Sequence, residues 1–92
     1  MYDETLAARL RDRLGPEATG KPMFGGLVFL RAGKIVAGVY GPDLLVRVGK
    51  ENRDTALTRP GTRPFTMGKQ QTAAFVLVEP ARMDEWFPSI SP

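Results

Sequence analysis

The chain has 92 residues, of which 42% are hydrophobic and 25% charged, a composition typical of globular domains and unlike that of disordered chains. It contains no cysteine and no histidine, which excludes disulfides, thiolate or imidazole zinc sites, and Ser-His-Asp or Cys-His catalysis. The net charge of +3 comes from basic residues spread along the sequence, a pattern more typical of a mixed solvated surface than of a nucleic-acid-binding patch.

The length predicts one domain over residues 1–92, with a small core because a chain of this size buries only about 60 to 65% of its unfolded surface. Its start is acidic, with Asp3 and Glu4 where a secretory leader would be basic and then apolar. The apolar runs are shorter than the ~20 residues that a membrane span needs. We therefore expect a cytoplasmic protein without a membrane segment.

The first predicted element is an amphipathic helix. Leu6, Leu10 and Leu14 recur at helical spacing, which places them on one face. Asp3 is a suitable N-cap, and Gly15-Pro16 is a typical stop signal.

Strands and short helices are predicted for the rest of the chain. After a loop over 17–22, strands are expected at 23–31, 34–40 and 44–48, joined by turns at Ala32-Gly33 and Gly41-Pro42-Asp43. A short helix over 50–58, a hairpin of 64–67 with 72–78, and a helix opening at Pro80 follow. The prediction is an α+β domain of order α-β-β-β-α-β-β-α with a five-stranded antiparallel sheet.

Two of the predicted strands are apolar on both faces. In Leu27–Leu30 and Leu44–Val46 successive residues are all apolar, whereas a sheet with one solvated face alternates apolar and polar residues. Three short helices are too few to cover two faces, so we expect a homodimer that uses part of the sheet. The alternative is a cover from within the chain, by Met83, Trp86 and Phe87.

The pair Gly25-Gly26 opens an apolar strand and needs a physical reason. Glycine inside a strand marks a bulge, a bend or a close approach of another group to the backbone. We interpret the pair as a bulge, with a ligand or partner approach as the alternative. The candidate partner or ligand surface around it consists of Lys21, Met23, Phe24, Gly25, Gly26, Lys34 and Lys69.

Several blocks in this order resemble the N-terminal domain of the TfoX/Sxy family of bacterial competence regulators. They are Lys21–Gly26 with the following Leu27–Leu30, Gly33-Lys34, Asp43–Gly49, Arg63–Phe65 and Phe75–Pro80. The resemblance implies a two-layer α+β domain similar to the secretion-chaperone-like folds. It also implies a role beside a DNA-bound activator of transcription, here as a stand-alone version without the helical C-terminal domain.

Three functions remain open at this point, and we expect the first of them, in which the protein is not an enzyme. The first is a non-enzymatic regulatory or protein-interaction module with a regulatory protein partner. The second is a nucleic-acid-binding accessory protein that uses the scattered basic residues, with Phe24, Phe29 and Tyr40 as stacking platforms. The third is an enzyme of unknown class, although no catalytic, metal-binding or cofactor-binding residues are recognisable and no cofactor is expected.

Overall fold

The computed structural model of the chain describes residues 2–65 and 74–87. In these residues the helices are α1 (Glu4–Leu14), α2 (Arg53–Leu57) and α3 (Met83–Trp86), and short 3₁₀ turns at Lys50–Asn52 and Pro80–Arg82 lead into α2 and α3. The strands are β1 (Thr19–Met23), β2 (Gly26–Arg31), β3 (Lys34–Tyr40), β4 (Asp43–Arg47), β5 (Thr62–Pro64) and β6 (Phe75–Val78).

All strands belong to one antiparallel sheet with the order β1-β2-β3-β4-β6-β5. The predicted α+β class is therefore confirmed, with six strands instead of five. The predicted second hairpin is present as the β5–β6 pair. Its connecting residues, including Gly68-Lys69-Gln70, lie outside the described residues.

The additional strand is β1, in the segment predicted as a loop. Phe24 and Gly25 form a two-residue turn with φ of +59° and +79°, the left-handed pair that a type I′ hairpin requires. Met23 therefore pairs with Gly26, and β1 runs back along β2. The interpretation of Gly25-Gly26 as a bulge is wrong, and the register shift of β2 against β3 lies further on, between Phe29 and Leu30.

One face of the sheet, the helix face, is covered by the helices. Asp3 caps α1 by accepting a hydrogen bond from the Leu6 amide at 3.1 Å. The helix then packs its apolar stripe of Leu6, Ala7, Leu10 and Leu14 on the sheet. The sheet contributes Leu27, Phe29, Ala37, Val39, Leu44, Val46, Val76 and Val78, and the other two helices add Ala56 and Met83.

The opposite face, here called the aromatic face, carries a second core of Val28, Leu45, Phe65, Phe75 and Leu77. Alternation along β4 explains both cores, because Leu45 points to the aromatic face while Leu44 and Val46 point to the helix face. The suggested internal cover by α3 is wrong. Met83, Trp86 and Phe87 pack on the helix face.

The described helices offer no candidate for crossing a membrane, because none is both long and apolar enough.

Gly26 gives the first test of this packing. A Cβ at Gly26 would lie 2.2 Å from the carbonyl oxygen of Val39, which belongs to the neighbouring strand and has no room to move. Because overpacking destabilises by roughly 1 to 3 kcal/mol, we expect at least that loss of unfolding free energy for Gly26→Ala. Urea denaturation measures it.

Gly20→Ala is the matched control. A Cβ at Gly20 would meet the Phe29 ring at 3.3 Å and the Arg11 guanidinium at 3.4 Å, which small side-chain movements relieve. We expect a change within about 0.5 kcal/mol. Equal losses in the two variants would contradict the close backbone approach at Gly26.

Candidate binding groove on the aromatic face

Four aromatic rings meet edge to face on the aromatic face. Phe65 lies 5.0 Å from Tyr40, 5.9 Å from Phe24 and 6.4 Å from Phe75, measured between ring centroids. Phe24 also lies 5.7 Å from Phe75. Such pairs contribute about 0.5 to 1.5 kcal/mol each beyond the area they bury.

These contacts indicate that the sheet curls toward the aromatic face. Phe24 precedes β2, Phe65 follows β5, and β3, β4 and β6 lie between those strands. Four strand spacings of about 4.8 Å would hold β2 and β5 roughly 19 Å apart in a flat sheet. The β1–β2 hairpin therefore bends over the aromatic face, and the irregularity between Phe29 and Leu30 is the kind of feature that increases local twist.

The bent hairpin leaves a groove of about 680 Å³ beside the rings. In the described part of the chain, its lining residues come from two turns and from the ends of β1, β3, β4 and β6. They are Met23, Phe24, Gly33, Lys34, Ile35, Arg47, Ala74 and Phe75. A volume of this size falls within the range of ligand-binding clefts.

Three of the predicted surface residues, Met23, Phe24 and Lys34, line the groove. Lys21 pairs with Val28, and therefore lies on the same face without lining the groove. Gly25 forms the exposed turn, whereas Gly26 is buried against β3. Lys69 lies outside the described residues, so a convergence of three lysines stays a prediction.

Two of the suggested stacking platforms remain on the aromatic face, and one does not. Phe24 and Tyr40 are half-buried there. Phe29 is fully buried on the helix face, where the Arg11 guanidinium lies 5.3 Å from its ring centroid. Phe29 therefore supports the core and presents no ring to a ligand.

Sequence reasoning missed Arg47, Ile35 and Phe75 as groove residues. Arg47 is directly cross-strand from Phe75 and two residues after Leu45, so it shares their face. The alternation along β4 was a signal for Arg47. The meeting of β4 with β6 is a long-range pairing that no local pattern reveals.

The positive charge is concentrated in the sheet. The six strands contain five basic residues, Lys21, Arg31, Lys34, Arg47 and Arg63, and one acid, Asp43. Asp43 is already paired with Arg63, and Arg31 donates to the Leu14 carbonyl at the end of α1. Among the described residues Lys21, Lys34 and Arg47 have no ion pair.

The other acids lie in the helices and the segments that flank them, and some are paired there. Arg13 contacts Asp84 at 2.6 Å. Arg82 donates to Glu85 at 2.9 Å, and this hydrogen bond, with further attraction from Glu79, raises the pKa of Arg82. The groove side of the molecule therefore carries uncompensated cations.

Metal binding has no support in this part of the chain. No cluster of three or more acidic side chains suited to a metal ion occurs within residues 2–65 and 74–87. The groove is lined by apolar side chains and by the cations of Lys34 and Arg47, which suit an anionic ligand.

Phe24 lines the groove and has a left-handed backbone conformation. Substitutions at this position test both features. Phe24→Ala removes the ring contacts, for which we expect a loss of about 2 kcal/mol in unfolding free energy. Phe24→Gly removes the same ring but relieves the left-handed backbone, so it should be about 1 kcal/mol more stable than the alanine variant. Urea denaturation gives both values.

Ala8, exposed in the interior of α1, supplies the control for that comparison. There glycine should be less stable than alanine by about 1 kcal/mol, as in ordinary helices. If glycine were also the less stable residue at position 24, the left-handed turn would be wrong.

One protein family matches most of the chain. The family described as the TfoX N-terminal domain matches residues 9–86. No curated protein and no solved structure matches the chain. The family match extends from α1 to the end of α3 and covers most of the sequence, and the chain therefore belongs to the TfoX N-terminal domain family.

Proposed function

We propose that the protein is a non-enzymatic regulatory module of the TfoX type, which acts in the bacterial cytoplasm by binding a protein partner through the groove. The supporting observation is the groove itself, where a half-buried aromatic side chain, Phe24, stands beside Lys34 and Arg47, two cations with no ion pair among the described residues. Membership of the family supports a role in the control of competence genes.

The residue types of the groove support a protein partner. Aromatic side chains, methionine and arginine are enriched at protein interfaces, and energetically important positions there are often aromatic or arginine. Met23, Phe24 and Arg47 provide this combination around one cleft. Its apolar floor would exclude water from a partner side chain.

Direct nucleic-acid binding is the alternative function, and the basic helix α1 is its first candidate surface. Two of its arginines already serve the fold. Arg11 stacks on Phe29, while Arg13 contacts Asp84 and donates to the Phe87 carbonyl at 2.8 Å. Arg9 is the remaining arginine of the helix and is exposed. A recognition helix would need a denser row of available cations.

We therefore expect no sequence-selective DNA binding by the isolated chain at nanomolar concentration and physiological salt. Few phosphates would be neutralised, so any binding should be weak and lost as salt rises. Fluorescence anisotropy with labelled duplexes of different sequence, titrated with salt, measures this. Tight and selective binding would favour the alternative function.

A homodimer stays a prediction, and the sheet edges bear on its form. Both edge strands contain a proline, Pro22 in β1 and Pro64 in β5. Proline has no N–H to donate to a neighbouring strand. Within a sheet it therefore occurs on edge strands, with its nitrogen directed toward solvent. Edge-to-edge association is thus disfavoured, and a second copy would have to pack on a face.

The regulatory proposal is tested in the organism of origin. We expect deletion of the gene to change the transcript profile, and the wild-type gene to restore it. Arg47→Glu reverses charge in the groove and should fail to restore the profile, whereas Arg9→Glu makes the same change on α1 and should restore it. RNA sequencing of the four strains, with protein levels checked by immunoblot, is the measurement.

Two results would contradict the proposal. If deletion of the gene leaves the transcript profile unchanged, the proposed regulatory role is wrong. Full restoration of the transcript profile by Arg47→Glu would show that regulation does not depend on the groove. Stabilisation of the chain by one compound in a metabolite panel, seen as a raised melting temperature, would instead favour the enzyme hypothesis.

A further inference from the structure

We infer that the groove receives an acidic segment of the partner protein, anchored by one or two large apolar side chains. This inference rests on the proposed function and names the chemistry of the partner. The evidence for it is the positive charge at the rim of the groove and the apolar side chains of its floor.

The floor is apolar and partly aromatic. Phe75 is buried, while Met23, Phe24, Ile35 and Ala74 are half-buried and remain partly accessible. Burial of an apolar side chain against such a surface contributes about 25 cal/mol for each Å² removed from water. A leucine or phenylalanine of the partner therefore gains more here than a polar side chain.

The rim is cationic without compensation. Lys34 and Arg47 are exposed and line the groove, and no acid is among its lining residues. All ten acids of the chain lie within the described residues, and the one acid in a strand, Asp43, is paired with Arg63. Carboxylates of a partner would supply the missing charge, and Arg47 is suited to a bidentate contact.

The same charges disfavour two other occupants. A second copy placed face to face would bring Lys21, Lys34 and Arg47 near their own equivalents, and like charges across an interface oppose association. A nucleic acid would satisfy the cations but gains little from the aliphatic side chains of Met23 and Ile35. Both occupants become outcomes of the test.

The test uses the full chain and a labelled peptide of known composition. The probe is a fluorescein-labelled octapeptide with a central Leu-Phe pair and three aspartates on each side. One control peptide has lysine in place of every aspartate, and another has serine in place of the Leu-Phe pair. Fluorescence anisotropy measures the affinities, and ¹⁵N chemical shifts locate the contact.

We expect the acidic apolar peptide to bind at least about tenfold more tightly than either control, a difference of about 1.4 kcal/mol. Amide shifts should change at Gly33, Ile35 and Ala74 rather than in α1. Arg47→Glu should weaken binding about tenfold, and Arg9→Glu should leave it unchanged. Higher salt should weaken the binding, because exposed charges are screened.

Four results would overturn the inference. Equal binding of the serine control would show attraction by charge alone. Shifts confined to the helix face would place the contact elsewhere. Dimerisation in sedimentation experiments that Arg47→Glu abolishes, or tighter binding of single-stranded DNA than of the peptide, would assign the groove to another occupant.

Failure of this inference is distinguishable from failure of the proposed function. If Arg47→Glu fails to restore transcription while the peptide does not bind, the partner has another chemistry and the regulatory role stands. If the peptide binds in the groove while deletion leaves transcription unchanged, the acidic-segment inference stands and the regulatory role is wrong.

Discussion

The contact of Phe24 with Phe65 and Phe75 is the constraint on which the aromatic face depends. It joins the tip of the first hairpin to Phe65, which follows β5, and to Phe75, which opens β6, and it is reached because the sheet curls. The curl lets the sheet cover part of its own second face with side chains of its strands and turns. The same curl leaves a cleft where the covering hairpin ends, so the buried aromatic cluster and the cleft have one origin.

This arrangement explains the continuous apolar runs of the central strands. Val28 and Leu45 are almost fully buried beneath the aromatic cluster, while their neighbours Leu27 and Leu44 pack below α1. Strands buried on both faces lose the alternation of apolar and polar residues. The sequence pattern correctly indicates a cover on the second face, and aromatic side chains of the chain itself provide much of it.

The sequence predicted correctly those elements that depend on interactions between neighbouring residues. The Asp3 cap, the leucine stripe of α1 and the Ala32-Gly33 turn are all read from neighbouring residues. Strand β1 was missed because its sequence, with four exposed residues and a proline, has no apolar period, and because phenylalanine is rarely left-handed in a turn. Arg47 was missed because its groove is assembled by pairing between distant segments, which no local window contains.

The distribution of charge in the structure also depends on long-range strand pairing. Along the sequence the basic residues are evenly spread, yet strand pairing gathers five of them in one sheet with a single acid. The helices and the segments that flank them hold the other acids, three of which are paired with Arg13 and Arg82. A net charge of +3 therefore understates the field at the groove. The fold therefore converts a small overall excess of positive charge into a local excess beside an apolar cleft.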